Sequence, residues 1–448
     1  MATIGIIGML AAIAVMIIGA YRGIKAIPLT ILAALVVIVT NGMGIWESLA
    51  TFYGGRFGYT VTRFFFIFIS SSVYAMLMDK TGSTASIGFQ LIKWFGTKHV
   101  MAIVFVFTAL LTYGGISLFV VFFAALPVAF VLFKEANLPR AAIMAPMGAG
   151  GAGITMTTLP GTPALTNIIP SDFLGTPLTA APVFSLVMAA IIVVLTFFYF
   201  GYVKRTVQRN NEVFTFPPGF DASAVANIDR SKLPHPLIAF IPILTLLLFL
   251  IVSSVANAPY AENPIQLATM GMVLASIVCL ALNPKKITIT GVKNWIGDGA
   301  NNGITAIVGL AAVIAFGYVV SNAPAFQSVL NWVTDLDMNI YFKGLVSTGV
   351  ISGITGSSSG GAEIALTNLG AYFIAAGEAG TVNLEVLHRL IAMGAGTLDT
   401  LPHVSAIFLF LALLGCTHKE AYKYLFWPTV VIPSVVTLLG VVVASIIW

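Results

Sequence analysis

The sequence predicts an all-α polytopic membrane protein, formed by two repeats of inverted topology that contain broken helices and re-entrant hairpins. Of its 448 residues, 58% are hydrophobic and only 8% are charged, whereas a soluble domain carries about 25% charged residues. Such a chain cannot cover a water-facing surface, which excludes a soluble enzyme, a nucleic-acid-binding protein and a disordered scaffold. Two further observations support the fold class: apolar stretches recur along the whole chain, and its two halves share motifs.

The apolar stretches indicate membrane spans, because about 20 apolar helical residues cross the hydrocarbon core of a bilayer. The first stretch, residues 3–20, has no basic region before it, and Arg22 and Lys25 follow it at once. It is therefore predicted to be a transmembrane helix and not a signal peptide. The other clear stretches are residues 26–40, 60–78, 99–112, 116–133, 180–203, 237–256, 266–282, 303–320, 341–354, 404–415 and 428–448.

One polar segment of linker length, residues 204–235, divides the chain into a predicted first repeat at residues 1–203 and a second at residues 236–448. The linker holds five Lys or Arg residues against three Asp or Glu residues. The positive-inside rule therefore predicts that it is cytoplasmic. Arg56 and Arg63 are exceptions to this rule, because the same topology puts them on the outer side.

Motifs of the first half recur in the second half in the same order and at nearly the same spacing. The pairs are Gly114-Gly115 with Gly360-Gly361, Asn137-Leu138 with Asn383-Leu384, Met147-Gly148-Ala149-Gly150 with Met393-Gly394-Ala395-Gly396, and Thr158-Leu159-Pro160 with Thr400-Leu401-Pro402. Basic residues follow the first helix but precede its counterpart at residues 237–256, so equivalent helices run in opposite directions. Both termini are then predicted on the outer side, and such inverted repeats are typical of secondary transporters.

Each half also contains two segments in which glycine, proline and hydroxyl residues interrupt the apolar pattern. These breaks are residues 113–117 and 155–163 in the first half and residues 355–361 and 397–403 in the second, and none contains Lys or Arg. Backbone that is not helical is tolerated at membrane depth only where protein or a watery cavity surrounds it, so substrate is expected between the breaks. The candidate substrate-binding residues are Gly114, Gly115, Ser117, Thr157, Thr158, Gly161, Thr162, Asn167, Ser357, Ser358, Ser359, Gly360 and Thr400.

The most informative break contains Pro160-Gly161-Thr162-Pro163. Thr162 before Pro163 is the pattern of a helix N-cap followed by proline at the first helical position. A helix starting there would direct its free N–H groups and its positive dipole end at the break, which suits a carboxylate. The alternative is a proline kink whose hydroxyls bond within their own helix. In the second half, residues 357–361 lack the Lys-Ser/Thr ending of a nucleotide-binding loop, and a flexible turn is the alternative to a binding loop.

Ionisable residues in the second half correspond to neutral residues in the first. Such residues are costly inside a membrane and usually mark a transport or proton path, so Asp399, His403 and Glu363 are the candidate proton-coupling residues. The alternatives are a structural hydrogen-bonded pair for Asp399 and His403, and a helix-capping role for Glu363. His388 and Arg389 are expected at a membrane interface, where snorkelling explains them as well as function does.

The pattern contains no sign of a metal site, a cofactor site or a catalytic constellation. Cys279 and Cys416 lie far apart in apolar stretches, without the spacing of metal ligands, and the one histidine beside a carboxylate in a break is His403 near Asp399. A membrane-embedded enzyme is therefore a weak alternative to a transporter. A channel is another, although it would favour a continuous ring of pore-lining residues over two inverted breaks.

Five segments carry a recognisable combination of motifs. They are Leu111-Thr-Tyr-Gly-Gly-Ile-Ser-Leu118, Thr157-Thr-Leu-Pro-Gly-Thr-Pro163 followed by Asn167-Ile-Ile-Pro170, Gly353-Ile-Thr-Gly-Ser-Ser-Ser-Gly-Gly361, Val386-Leu-His-Arg389 and Leu398-Asp-Thr-Leu-Pro-His403. Together they resemble the gluconate:proton symporter (GntP) family over nearly the whole chain. The resemblance implies the fold of the ion transporter superfamily in a lipid bilayer, usually as a homodimer.

The resemblance also implies a function. The expected activity is proton-coupled import of a small organic anion across the bacterial inner membrane, either a gluconate-like sugar acid or a short hydroxycarboxylate such as 3-hydroxybutyrate. Coupling to sodium ions is the alternative, because hydroxyl and carbonyl groups at the breaks suit Na⁺ as well.

Overall fold

All regular structure is helical in the residues that the computed structural model describes, which are 2–113, 118–162, 164–216, 233–256 and 263–448. This confirms the predicted all-α class. Five helical stretches in these ranges are long and apolar enough to cross a membrane: Thr3–Tyr21, Ile45–Lys80, Pro182–Arg209, Ile289–Ser321 and His418–Ile447. Shorter apolar helices lie between them, so the protein is a multi-pass membrane protein.

The helices before the linker are numbered α1 to α9. They are α1 (Ala2–Tyr21), α2 (Ala26–Thr40), α3 (Gly55–Lys80), α4 (Ser83–Phe95), α5 (Val100–Tyr113), α6 (Leu118–Glu135), α7 (Met144–Gly148), α8 (Leu165–Leu174) and α9 (Pro182–Arg209). A short helix, Ile45–Glu47, and a π-helical turn, Ser48–Gly54, lead into α3, and a second π-helical turn, Ala149–Thr155, extends α7.

The helices after the linker are numbered α10 to α19. They are α10 (Pro236–Val255), α11 (Pro264–Ala281), α12 (Ile289–Ser321), α13 (Pro324–Asp335), α14 (Ile340–Thr355), α15 (Ser358–Glu378), α16 (Leu384–Ala395), α17 (Ser405–Leu414), α18 (His418–Phe426) and α19 (Ile432–Ile447). A π-helical turn, Trp427–Val431, joins α18 to α19.

Helices α3 and α12 form a closely packed pair. A Cβ atom at Gly303 would lie 2.7 Å from the carbonyl oxygen of Phe68, and one at Gly299 would lie 2.8 Å from the Cα atom of Val73. Only glycine therefore lets the two backbones touch at these points, as small residues do between membrane helices. One long helix from each half thus contributes to a common framework.

Helices α14 and α15 form a hairpin whose tip is Gly356-Ser357. Gly356 ends α14 in the left-handed conformation, with a φ of +69°, and the Ser357 hydroxyl accepts a hydrogen bond from the N–H of Gly360 at 3.1 Å. Ser357 is therefore the N-cap of α15. Helices α5 and α6 pack on each other in the first half, where residues 114–117 between them lie outside the described residues.

Two further segments interrupt the helices, as the sequence predicts. One of them separates the π-helical turn that ends at Thr155 from α8, and it is called the first break from here on. The other separates α16 from α17 and is called the second break. Helix α8 packs against both α15 and α16. The half-helix that follows the first break therefore contacts helices of the second half, and this packing positions the candidate site.

Candidate substrate site at the helix breaks

The first break is a turn whose backbone groups are held by hydrogen bonds. Gly161 has a φ of +77°, a conformation that residues with a side chain disfavour, and its N–H donates to the carbonyl oxygen of Leu178 at 2.9 Å. The Tyr113 hydroxyl at the end of α5 donates to the carbonyl oxygen of Pro160 at 3.0 Å. The break is thus a defined structure and not a simple helix kink.

Thr162 does not cap α8, so the predicted N-cap is wrong. The helix begins at Leu165 with Ala164 as its N-cap, while Pro163 lies outside the described residues. The Thr162 side chain is 0% exposed, and its Oγ1 has no hydrogen-bond partner in the described part of the chain. A buried polar group without a partner is unfavourable by about 1–3 kcal/mol. This hydroxyl is therefore a candidate ligand group.

Asn167 connects the first break to helix α16. Its Nδ2 donates to the carbonyl oxygens of Thr162 at 2.7 Å and Leu178 at 3.0 Å. Its Oδ1 lies 2.8 Å from Nε2 of His388, whose Nδ1 pairs with the Thr176 hydroxyl at 2.7 Å. Both ring nitrogens of the histidine are therefore occupied, and the ring orientation is fixed from both sides.

Arg389 is 0% exposed, and its guanidinium lies against the first break. Nη2 donates to Oδ1 of Asn167 and, at 3.2 Å, to the carbonyl oxygen of Leu178, while Nη1 is 3.4 Å from the carbonyl oxygen of Leu159. Nε is buried and has no partner among the described residues. Snorkelling, one of the two explanations that the sequence left open for Arg389, is therefore wrong, and a cation does lie against a break. Its free donor suits a carboxylate.

The start of helix α16 explains why an arginine is tolerated here. Oδ1 of Asn383 caps the helix by accepting from the N–H groups of Glu385 and Val386 at 3.0 and 3.1 Å. The Glu385 carboxylate accepts from the N–H of Ala181 at 2.8 Å, and it lies one helical turn before Arg389. A buried charge is stable only when it is paired or well hydrogen-bonded. The adjacent carboxylate and the break carbonyls together meet this need.

The second break holds Asp399 and His403, but the predicted pair is not joined as expected. Nε2 of His403 lies 2.8 Å from the carbonyl oxygen of Gly353, and the Ser358 side chain hydrogen-bonds to the Asp399 carboxylate. Oδ1 of Asp399 and Nδ1 of His403 are both buried and without partners in the described ranges, so these two atoms do not bond to each other. Among the described residues, each of the two breaks thus has two buried polar side-chain atoms without a hydrogen-bond partner.

The two breaks are in contact. Gly396, which follows α16, lies so close to Thr157 that a Cβ atom at this position would overlap the threonine side chain. The hydroxyls of Thr157 and Thr158 are 3.4 Å apart, and both residues are buried. A Cβ atom at Gly349 of α14 would lie 3.0 Å from Oγ1 of Thr397. The two breaks and the hairpin α14–α15 therefore meet in one region.

The remaining candidate residues have different surroundings. Gly114, Gly115 and Ser117 lie outside the described residues. Ser359 and Gly360 are half-buried near the tip of the hairpin. The Thr400 hydroxyl donates to that of Thr429 at 2.9 Å, which ties the second break to the π-helical turn before α19.

Glu363 lies in the second turn of α15, and its side chain is exposed. The third residue of this helix is Gly360 and not Glu363. The capping alternative for Glu363 is therefore wrong, and the carboxylate remains without an assigned structural role.

Arg389 and His388 are the residues that the sequence did not identify as site residues. Their signal was present, because Glu385, His388 and Arg389 occupy positions i, i+3 and i+4 of an otherwise apolar helix and so share one face. Which structure that face contacts depends on the packing of α8 against α16, which no local pattern predicts.

The profile of the GntP family permeases matches residues 3–447. The chain belongs to the GntP permease family. It is 27% identical over 452 residues to the uncharacterized transporter YxjC of Bacillus subtilis, a match that covers 94% of this chain and 95% of that protein. It is also 23% identical over 401 residues to an uncharacterized transporter of Haemophilus influenzae, with 84% and 89% covered. Membership of the GntP permeases indicates a membrane transporter rather than an enzyme.

Proposed function

We propose that this GntP permease is a secondary active symporter that imports a small organic acid anion together with protons across a bacterial inner membrane. The observation that carries the proposal is the buried guanidinium of Arg389 at the first break. Its Nε and the nearby Thr162 hydroxyl both lack partners in the described part of the chain, and Asn167 bonds to both residues.

The chemistry of these groups favours a carboxylate ligand. A guanidinium stays charged at any physiological pH and presents its donors in a plane, which matches the two oxygens of a carboxylate. Uncharged hydroxyls at the first break and at the hairpin tip, those of Thr157, Thr158 and Ser359, suit the hydroxyl groups of a substrate. A gluconate-like sugar acid or a short hydroxycarboxylate combines these two requirements.

The second break supports a separate place for the coupling ion. Asp399 has one carboxylate oxygen bonded by Ser358 and one that is buried without a partner in the described ranges. A proton on this carboxyl group would remove its charge while the substrate-loaded site changes from facing one side of the membrane to facing the other. His403 and Glu363 are the other candidate coupling groups. Sodium is the alternative ion, since the Ser358 hydroxyl and the backbone carbonyls of a break are also oxygen ligands.

We also propose that residues 1–203 and 236–448 are inverted repeats joined by the cytoplasmic linker, with both termini on the outer side. The order of elements supports this, because each half runs from two apolar helices to a long helix, a short helix, a helix pair, a broken helix and a final long helix. The 13-residue α4 and the 12-residue α13 hold equivalent places. The family resemblance adds a homodimer to the proposal.

The proposal can be tested in liposomes that contain the purified protein. Counterflow should accumulate one or more labelled acids from a panel that includes gluconate and 3-hydroxybutyrate. A pH gradient alone should drive net uptake, and replacing sodium with choline should leave that uptake unchanged. Uptake that requires sodium would select the alternative ion. The absence of counterflow with every acid in the panel would contradict an organic anion carrier.

A further inference from the structure

A cavity of about 390 Å³ lies away from the breaks, between the α3–α12 framework and helix α6. Its apolar walls include Phe122, Phe123, Leu126 and Phe130 of α6 and Met76 of α3. Its polar groups come mainly from the framework, and they are those of Ser72, Asp79, Asn302 and Thr305, with Lys134 on the opposite side. A cavity of this size admits a small hydrated acid.

The polar groups of α12 form a stripe along one face of the helix. Asn294, Asp298, Asn301, Asn302 and Thr305 are all exposed and recur at helical spacing. Helix α12 has 33 residues and is about 50 Å long, so its midpoint at Thr305 lies within a hydrocarbon core of about 30 Å. Polar side chains at that depth face protein or a water-filled space. Asn302 and Thr305 line the cavity, so water in the cavity would contact the polar stripe.

The cavity lies on the linker side of the molecule. Phe216, which belongs to the linker, lines it, and the Lys134 ammonium is 5.6 Å from the centre of the Phe216 ring. The end of α3 is on the same side, because Lys286 donates to the carbonyl oxygen of Thr81 at 2.6 Å and Ser86 donates to that of Pro234 at 2.7 Å.

One pair of aromatic rings connects the cavity to the second break. Phe122 lines the cavity and stacks on Phe410 of α17, with ring centres 4.3 Å apart and ring planes inclined by 19°. Helix α17 begins at Ser405, two residues after His403. Movement of this half-helix would therefore displace one ring of the pair.

We propose that this cavity is the water-filled vestibule through which the substrate anion passes between the breaks and the linker side, and that Phe122 and Phe410 close its inner end. This inference rests on the proposed transport function and adds the route. The polar stripe of α12 keeps the vestibule hydrated, and the framework supplies its fixed wall. Helices α6 and α17 supply the wall that changes during transport.

The test is the chemical accessibility of single cysteines in the full-length protein. In a background with Cys279→Ala and Cys416→Ser, Thr305→Cys and Asn302→Cys place thiols in the vestibule. Ile304→Cys is the matched control, because Ile304 is 43% exposed at the same depth but does not line the cavity. A charged, membrane-impermeant maleimide is applied to inside-out and right-side-out vesicles. Each variant is first required to retain counterflow.

We expect Thr305→Cys and Asn302→Cys to react at least about tenfold faster than Ile304→Cys, and faster from the linker side than from the other side. Saturating gluconate or 3-hydroxybutyrate, whichever supports counterflow, should change the rate at Thr305→Cys and not at Ile304→Cys. Equal rates for all three thiols, or equal rates from both sides, would overturn the vestibule. Since the first comparison needs no substrate, a failure there would leave the transport proposal intact. Wild-type protein that shows no counterflow with either acid would instead contradict the transport proposal, whatever the labelling rates.

Discussion

Oδ1 of Asn167 accepts a hydrogen bond from the guanidinium of Arg389, a residue 222 positions later in the chain. The bond joins the half-helix after the first break to a helix of the other half of the sequence. It also leaves Nε of the arginine free of partners among the described residues. The candidate site is thus shared by both halves of the sequence, and several measurable consequences follow from its geometry.

Substitution of Arg389 by lysine tests its role as the carboxylate-binding group. Lysine keeps the charge but loses the planar set of donors that a carboxylate and the carbonyl oxygens need. A charged hydrogen bond contributes about 1.5–3 kcal/mol, so Arg389→Lys should raise the half-saturating substrate concentration about 10- to 100-fold. Counterflow rates at increasing substrate concentration give this value. The exposed Arg22→Lys is the control, and a folded Arg389→Lys with normal saturation would remove Arg389 from the site.

Thr162 and Thr166 form a matched pair for testing the first break. Both hydroxyls are buried, but that of Thr166 donates to the carbonyl oxygen of Met156, whereas that of Thr162 has no partner in the described ranges. Thr162→Val should therefore weaken substrate binding about tenfold or more with little loss of thermal stability, because it removes no internal bond. Thr166→Val should instead lower the melting temperature. The reverse pattern would show that Thr162 does not contact the substrate.

Substitution of Asp399 by asparagine tests proton coupling. Asparagine keeps the size and hydrogen-bonding capacity of the side chain but is always neutral. Asp399→Asn should therefore abolish accumulation driven by a pH gradient and still permit exchange of substrate for substrate. Glu363→Gln is the parallel variant, and it should behave in this way only if Glu363 is the coupling group.

One result for the two variants would contradict the carboxylate mechanism. If both Asp399→Asn and Glu363→Gln accumulate substrate at the wild-type level under a pH gradient, neither carboxylate is the coupling group. His403 or a sodium ion would then remain, and replacing sodium with choline in the same assay would distinguish them.

Glu212 predicts a pH dependence of stability outside the membrane. Burial alone would raise the pKa of Glu212, but hydrogen bonds from Tyr424 and Asn210 and the charge of Lys423 together lower it below its usual value of 4.5. The stabilisation is therefore present above the unfolded-state pKa and lost as the pH falls through the lowered folded-state pKa. Between about pH 5.5 and pH 3.5, the wild-type melting temperature should fall more steeply than that of Glu212→Gln. Parallel curves would show that the contact contributes nothing.

The sequence was sufficient for the parts of the site that depend on local pattern. Pro160 and Gly161 predict a helix interruption by their own backbone restrictions, and the structure has one there. The polar residues of the second break likewise coincide with the gap between α16 and α17. Pro and Gly restrict the backbone of adjacent residues, so their effect on a helix can be predicted from the sequence alone.

Tertiary packing decides two features of the site that the local sequence does not predict. Thr162 before Pro163 is a normal N-cap pattern, yet the Asn167 side chain binds the Thr162 carbonyl and α8 starts later, at Leu165. Arg389 lies near the start of a helix, where the sequence alone allows snorkelling as readily as function. The carbonyls that hold it come from Leu159 and Leu178, more than 200 positions earlier.

The carbonyl oxygen of Leu178 accepts from three donors: the N–H of Gly161, Nδ2 of Asn167 and Nη2 of Arg389. This oxygen therefore competes with any other acceptor for the guanidinium. If the proposed carboxylate bound both Nη2 and Nε, it would displace the Leu178 oxygen, and the measured affinity would be the difference between two sets of bonds. Release of Leu178 from Arg389 would also loosen the link between Gly161 and the loop after α8. Substrate binding would then be transmitted to the backbone of the break through a single peptide group.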